Sequence, residues 1–283
     1  MRYHVGGELV DADEASVSVA DRGFRYGDAA FETLRAYGGE VFRWDDHATR
    51  LRNTLEELYF DAYPPMDDLY GRVQETLAAN DFEDAYVRVS VTRGPQEGKL
   101  APGPADPTVV VVAKPLPRGG TAGEEVWDAP ATARVVETRR VPTEALPASA
   151  KTHNYLNGVL ARAELDGEDE ALLRDTEGHL AEGATSNVFW VRDGVLHTPS
   201  LAGDVLPGVT RRVVLELASE EDIDVETGVY APDTLRHADE AFLTNTTWEL
   251  RPLVAVGDVE LPVGPVTERL HEAFDAAVEE THY

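Results

Sequence analysis

Seven residues, Lys114-Pro-Leu-Pro-Arg-Gly-Gly120, set the first limit on how this chain folds. Two prolines and two glycines so close together interrupt any helix or strand, so the segment predicts a linker. At 283 residues the chain exceeds one simple core. A break here leaves two domains of ordinary size, residues 1–113 and 121–283.

Upstream of that break the pattern is hairpins first, helices next. Tyr3-His4-Val5 and Glu8-Leu9-Val10 flank Gly6-Gly7, and Leu34–Tyr37 and Glu40–Phe42 flank Gly38-Gly39, both two-residue turns of the primed type. Asp45 or Asp46 then predicts the cap of a helix with Leu51, Leu55 and Leu58 on one stripe, and a second helix covers Asp67–Ala79. Ala85–Thr92 alternates, with Val87, Val89 and Val91 on one face and Tyr86, Arg88 and Ser90 on the other. Pro107–Ala113 reads as a buried strand. Downstream, strands are expected at Ala133–Arg139, Ala171–Arg174, Asn187–Val191 and Val195–Thr198, with helices over Tyr155–Leu165 and from Pro207-Gly208 to Ser219. Runs of strands and helices, rather than strict alternation, predict an α+β chain of two domains.

Charge narrows the function. Twenty-five basic against 53 acidic residues give −28, spread along the whole chain. Such an excess repels nucleic acid and anionic lipid and suits the solvent-facing surface of a halophile's protein at high salt. No apolar run is long enough to span a membrane, and the N-terminus lacks the apolar stretch of a secretion signal, so a cytoplasmic protein is expected. Cysteine is absent, and the eight histidines show no ligand spacing, so no metal is expected.

Lysine is scarce: only Lys99, Lys114 and Lys151 occur. Lys99 lies in a Gly- and Pro-rich loop and Lys114 opens the linker, both predicted to be solvated. Lys151 follows Pro147-Ala-Ser-Ala150 and sits among small and apolar neighbours, where an amine can lose its proton and condense with an aldehyde.

Three ordered strings then carry a resemblance. Asp21–Arg35 holds Phe31-Glu-Thr-Leu-Arg35, His47-Ala-Thr-Arg50-Leu51 follows, and Glu182-Gly-Ala-Thr-Ser-Asn187-Val-Phe189 leads through Leu196-His-Thr198 to Leu206-Pro-Gly208-Val-Thr210-Arg211. In these the chain resembles the class IV aminotransferases, the family of branched-chain and D-amino-acid transaminases and aminodeoxychorismate lyase. The resemblance covers nearly the whole chain. It implies a two-domain, fold-type IV architecture with pyridoxal 5′-phosphate in the interdomain cleft, and a homodimer. Lys151 would carry the cofactor and move the substrate's proton, and Glu182 would face the pyridine nitrogen. Arg50, Gly208, Val209, Thr210 and Thr246 would hold the phosphate. Tyr155, four residues past Lys151 and so one helical turn on, would reach the ring's phenolic oxygen. Phe31, Arg35, Tyr86, Arg88 and Thr247 would border the substrate. The implied reaction is ping-pong amino transfer between an apolar L-amino acid and 2-oxoglutarate. A D-amino-acid transaminase and a lyase releasing pyruvate and 4-aminobenzoate from aminodeoxychorismate stand as alternatives. A non-catalytic carrier fits less well, since mere binding has no use for Lys151.

Overall fold

A computed structural model describes residues 1–98, 100–118 and 127–283. Lys99 and the Gly119-Gly120 end of the predicted linker lie outside them. The chain divides into two compact units; the first is Met1–Arg118 joined by Ala150–Asn154 and His282–Tyr283, and the second holds the remainder.

The first unit runs β1 (Arg2–Val5), β2 (Glu8–Asp11), α1 (Arg22–Tyr26), β3 (Ala29–Tyr37), β4 (Glu40–Val41), α2 (Trp44–Glu57), α3 (Met66–Asn80), β5 (Ala85–Thr92) and β6 (Thr108–Pro115). Its strands form one antiparallel sheet in the order β2-β1-β6-β5-β3-β4. Both expected hairpins are present, and Gly38 and Gly39 take φ of 54° and 84°, the left-handed pair a primed turn demands. Val87, Val89 and Val91 point to the face packed with Leu51, Leu55, Leu69 and Val73 of α2 and α3, which is the core of this unit.

Two details depart from expectation. The cap of α2 is Arg43, in the left-handed region at φ 53°, with no side-chain cap bond. Asp45 and Asp46 instead occupy the first turn, where their charge complements the helix dipole. Strand β6 also continues through Lys114 and Pro115, because its pairing with Tyr86 and Ala85 carries the ladder two residues into the predicted linker. Lys114 is exposed, as expected.

The second unit runs β7 (Ala131–Arg139), α4 (Leu156–Arg162), β8 (Glu170–Arg174), β9 (Leu180–Gly183), β10 (Asn187–Arg192), β11 (Val195–Pro199), α5 (Val209–Glu220), β12 (Val225–Gly228), a 3-10 turn at Pro232–His237, β13 (Glu240–Asn245), β14 (Glu249–Val256), β15 (Val259–Glu260) and α6 (Pro265–His282). The sheet order is β12-β11-β10-β13-β14-β7-β8-β9, with β15 on β14. Parallel pairs at β11–β12, β14–β7 and β7–β8 make it mixed. Leu172, Val188, Trp190, Leu243 and Leu253 fill one core of this unit, and Val136, Ala161, Ala171 and Leu173 another. Helix α6 buries Leu270, Phe274 and Val278, one stripe at four-residue spacing, and Glu240 caps it by accepting from the backbone N–H of Val266 and Thr267 at 3.1 and 2.7 Å. Among the described residues no helix is long and apolar enough to cross a membrane.

Candidate active site

Lys151 reaches the first unit by strand pairing. Residues Ala150–Asn154 run beside the start of β3: Phe31 N–H donates to Lys151 O at 3.0 Å, His153 N–H to Ala29 O at 2.9 Å, and Ala30 bridges Thr152. From the α2 side the Thr54 hydroxyl accepts from Lys151 N–H at 3.0 Å. The backbone of the lysine is thus fixed from two directions. Lys151 is extended rather than helical, so Tyr155 is not one helical turn on. Tyr155 is the N-cap residue of α4 and belongs to the second unit, because residues 151–154 are consumed by the pairing with β3.

Extended chain alternates sides, and this brings cations to one aromatic ring. Lys151 Nζ lies 4.5 Å from the centroid of the Phe31 ring, and Arg88 Cζ lies 3.7 Å from the same centroid. The β3–β5 register sets this up by placing Phe31 opposite Ser90 and Thr33 opposite Arg88. Arg88 donates from Nε to Ser90 Oγ at 3.3 Å, and among the described residues it forms no ion pair. An amine and an unneutralised guanidinium over one apolar ring make a local anion site in a chain whose net charge is −28.

Arg50 faces the other side of the same strand. It projects from α2 onto Glu32, whose two oxygens accept from Arg50 Nε at 2.8 Å and Nη2 at 2.6 Å. His47 Nδ1 lies 2.7 Å from Glu32 Oε2 and donates to it. Burial alone would raise the Glu32 carboxyl, but the Arg50 charge and the bonds from Arg50 and His47 outweigh it and hold Glu32 at about 2. Burial, opposed by Glu32, lowers His47, so its imidazole is neutral. Glu32 and His47 were not singled out in the sequence, although both lie inside the strings that carry the resemblance.

Arg35 and Tyr86 pair with each other farther along the sheet. Arg35 is fully buried, donates from Nη2 to Pro117 O at 3.2 Å and lies over the Tyr37 ring. Four residues of strand separate it from Phe31, roughly 13 Å, so it stands apart from the Lys151 cluster.

In the second unit Glu182, on β9, is buried, and its carboxylate accepts from Arg140 Nε at 2.7 Å, Leu206 N–H at 2.9 Å and Asn187 Nδ2 at 3.5 Å. The turn behind it is shaped by Glu170, fully buried, which accepts from the hydroxyls of Thr185 and Ser186 and from Thr185 N–H. Helix α5 begins after Gly208, whose backbone is extended at φ −62° and ψ 136°. A Cβ there would stand 2.0 Å from Asn187 Oδ1, so Gly208 is required by the protein's own packing. The first bond of the helical ladder runs from Arg212 N–H to Gly208 O, which leaves the N–H groups of Val209 and Thr210 ahead of it. Thr246 and Thr247 lie in the β13–β14 turn, where Asn245 Oδ1 accepts from the Thr247 amide and hydroxyl at 2.9 and 3.0 Å and from Trp248 N–H at 2.8 Å.

Pyridoxal phosphate presents an aldehyde, a basic ring nitrogen and a dianionic phosphate. The first unit offers the Lys151 amine, and the second offers an ionisable carboxylate at Glu182 and a helix N-terminus at Val209-Thr210. These donor chemistries fit the cofactor.

The family model described as amino-transferase class IV matches residues 29–256. A candidate branched-chain-amino-acid aminotransferase of Methanocaldococcus jannaschii is 38% identical over 280 residues, covering 97% of this chain and 95% of that protein. Aminodeoxychorismate lyase of Bacillus subtilis is 32% identical over 262 residues, covering 90% of this chain and 87% of the other. Among solved structures, the branched-chain aminotransferase of Thermoproteus uzoniensis with norvaline superposes with a TM-score of 0.91 at 32% identity, covering 100% of this chain and 97% of that one. With the family model, the relatives and the fold in agreement, the chain belongs to the class IV aminotransferases, enzymes that work with pyridoxal 5′-phosphate.

Proposed function

We propose that this enzyme transfers the amino group of a branched-chain or other apolar L-amino acid to 2-oxoglutarate by a ping-pong mechanism, as a cytoplasmic homodimer. The observation that carries the reading is the pairing of Lys151 over Phe31 with Arg88, which has no ion pair among the described residues: a base beside a carboxylate receptor, on an apolar floor. The identity to branched-chain enzymes supports the apolar substrate.

Bound cofactor supplies the electron sink that makes the substrate's α-carbon acidic. Lys151 Nζ would anchor the cofactor and would move the substrate's α-proton. Arg88 orients the substrate carboxylate with its two Nη groups, and Phe31 excludes water from the face below. Glu182, whose carboxylate accepts from Arg140 Nε and the Leu206 N–H, would hold a proton on the ring nitrogen. Val209 and Thr210 at the start of α5 would offer N–H donors to the phosphate, the role proposed also for Arg50 and Thr246.

The test is a half-reaction. Holoenzyme mixed with leucine alone should convert its visible cofactor absorbance to that of the amine form and release the keto acid, and 2-oxoglutarate should then restore the band. Pyruvate from aminodeoxychorismate with no leucine half-reaction would establish the lyase instead.

A further inference from the structure

Arg140 follows β7 directly, and the backbone on both sides of it is pinned. Asn157, on α4, brackets it: Asn157 Nδ2 donates to Arg139 O at 2.8 Å, and Asn157 Oδ1 accepts from Val141 N–H at 3.3 Å. Between them Arg140 N–H donates to Arg174 O, at the end of β8, at 2.8 Å. A backbone braced in this way aims one side chain. Arg140 Nε donates to Glu182 Oε1 at 2.7 Å, while Leu206 N–H and Asn187 Nδ2 donate to Oε2. The Glu182 side chain is 9% exposed and that of Arg140 18%, so water screens the pair weakly. Arg211, on α5, also feels Glu182: burial lowers its guanidinium from the ordinary arginine value and the Glu182 charge opposes this. Its printed bond runs elsewhere, from Nη2 to Pro199 O at 3.0 Å, which leaves Arg140 as the cation in contact with the carboxylate among the described residues.

We infer that Arg140 is a positioning residue for a proton: through its charge on Glu182 it keeps the proton shared by that carboxylate and the cofactor's ring nitrogen on the nitrogen. Two arrangements of the pair contain the same atoms, carboxylate with pyridinium and carboxylic acid with neutral pyridine. Passing from the first to the second breaks one N–H bond and forms one O–H bond. In a buried site the second is favoured, since it carries no charge. An arginine bonded to the carboxylate reverses that preference, because an adjacent opposite charge lowers a carboxyl's affinity for protons by about 1–3 pH units. The pyridinium form is the stronger electron sink, so Arg140 acts on the reaction through Glu182.

The inference rests on the proposed reading of Glu182 as the ring nitrogen's partner, and the experiment separates the two. The readout is the nitrogen resonance of holoenzyme loaded with pyridoxal phosphate isotope-labelled at the ring nitrogen, which distinguishes pyridinium from pyridine directly. Arg140→Gln keeps a donor for Glu182 and removes the charge. Its resonance should move from the pyridinium value towards that of neutral pyridine. The displacement should be equal at neutral and mildly alkaline pH, because the proton crosses within the pair and none is exchanged with solvent. In the same variant kcat for leucine should fall roughly tenfold while KM changes less. Arg140→Lys restores a cation and should recover most of both effects. Glu182→Gln, the control for the underlying reading, should give the neutral value outright. A wild-type resonance in Arg140→Gln, with Glu182→Gln displaced, overturns the role of Arg140 alone. A wild-type resonance in Glu182→Gln overturns the reading of Glu182, and this inference with it. A displacement that Arg140→Lys leaves in place assigns the effect to lost shape and also overturns the inference.

Discussion

Glu32→Gln tests the buried carboxylate that Arg50 and His47 hold in the first unit. The substitution keeps shape and removes charge. Glu32 is 1% exposed and held at about 2, against an ordinary glutamate near 4.5, by Arg50 and His47. A depression of that size corresponds to about 3 kcal/mol of folded-state stabilisation at neutral pH. Because the folded value lies below the unfolded one, this contribution is complete above pH ~4.5 and is lost as pH falls towards about 2. The variant should therefore be less stable than wild type by about 3 kcal/mol at pH 7, with some further cost because Arg50 keeps its charge in a buried place. Denaturant unfolding at a series of pH values measures the gap between the two proteins. It should be constant from pH 7 to about 5, then narrow. Adding Arg50→Met to Glu32→Gln should cost less than the sum of the single changes, since the second removes a charge the first has orphaned. A gap that stays constant down to pH 3, or a strictly additive double variant, refutes the coupling.

Three further outcomes are expected. Borohydride reduction of holoenzyme should fix the cofactor on a single peptide containing Lys151, and labelling at Lys99 or Lys114 would contradict its role. Glu182→Gln should keep cofactor occupancy near normal while lowering kcat by roughly 10²–10³, because the lost charge is needed only as the α-proton leaves; wild-type turnover would exclude Glu182 as the partner of the ring nitrogen. Removing salt should lower the melting temperature, since acid–acid repulsion across the −28 surface grows as the screening length rises from ~3 Å at 1 M to ~10 Å at 0.1 M; equal stability in dilute buffer and molar salt would refute a halophile's surface.

The parts of this molecule that local patterning governs were legible in the sequence. Ala85–Thr92 is read and found with the same bounds, because strict alternation of Val87, Val89 and Val91 leaves one register that buries them. The Gly6-Gly7 and Gly38-Gly39 turns follow from backbone freedom alone. Long-range partners decide the rest. Asp46 is a better capping residue than Arg43 by propensity, but β4 delivers the chain to α2 through a left-handed turn, and that geometry chose the cap. The spacing of Lys151 and Tyr155 looks helical until Ala29–Phe31, more than a hundred residues earlier, claims the segment for strand pairing. The resemblance implies a phosphate for Arg50, whereas its tie to Glu32 emerges only when α2 lies across β3. Helix α6 carries readable signals, Pro265 at its first position and Leu270, Phe274 and Val278 in a stripe.

The return of Ala150–Asn154 to the first unit has a consequence for biosynthesis. When residue 118 has left the ribosome, every strand of the first sheet has been made, but the backbone of Ala29–Phe31 still lacks the neighbour that will accept from Phe31 N–H and donate to Ala29 O. Domains fold largely in the order they are synthesised, so an N-terminal intermediate with an open strand edge precedes the enzyme, and such edges recruit wrong partners. The segment that closes this edge is the one that bears Lys151. A nascent chain therefore acquires its reactive amine and loses its exposed edge in the same event, and a fragment cut at residue 118 would lack the amine and keep the edge.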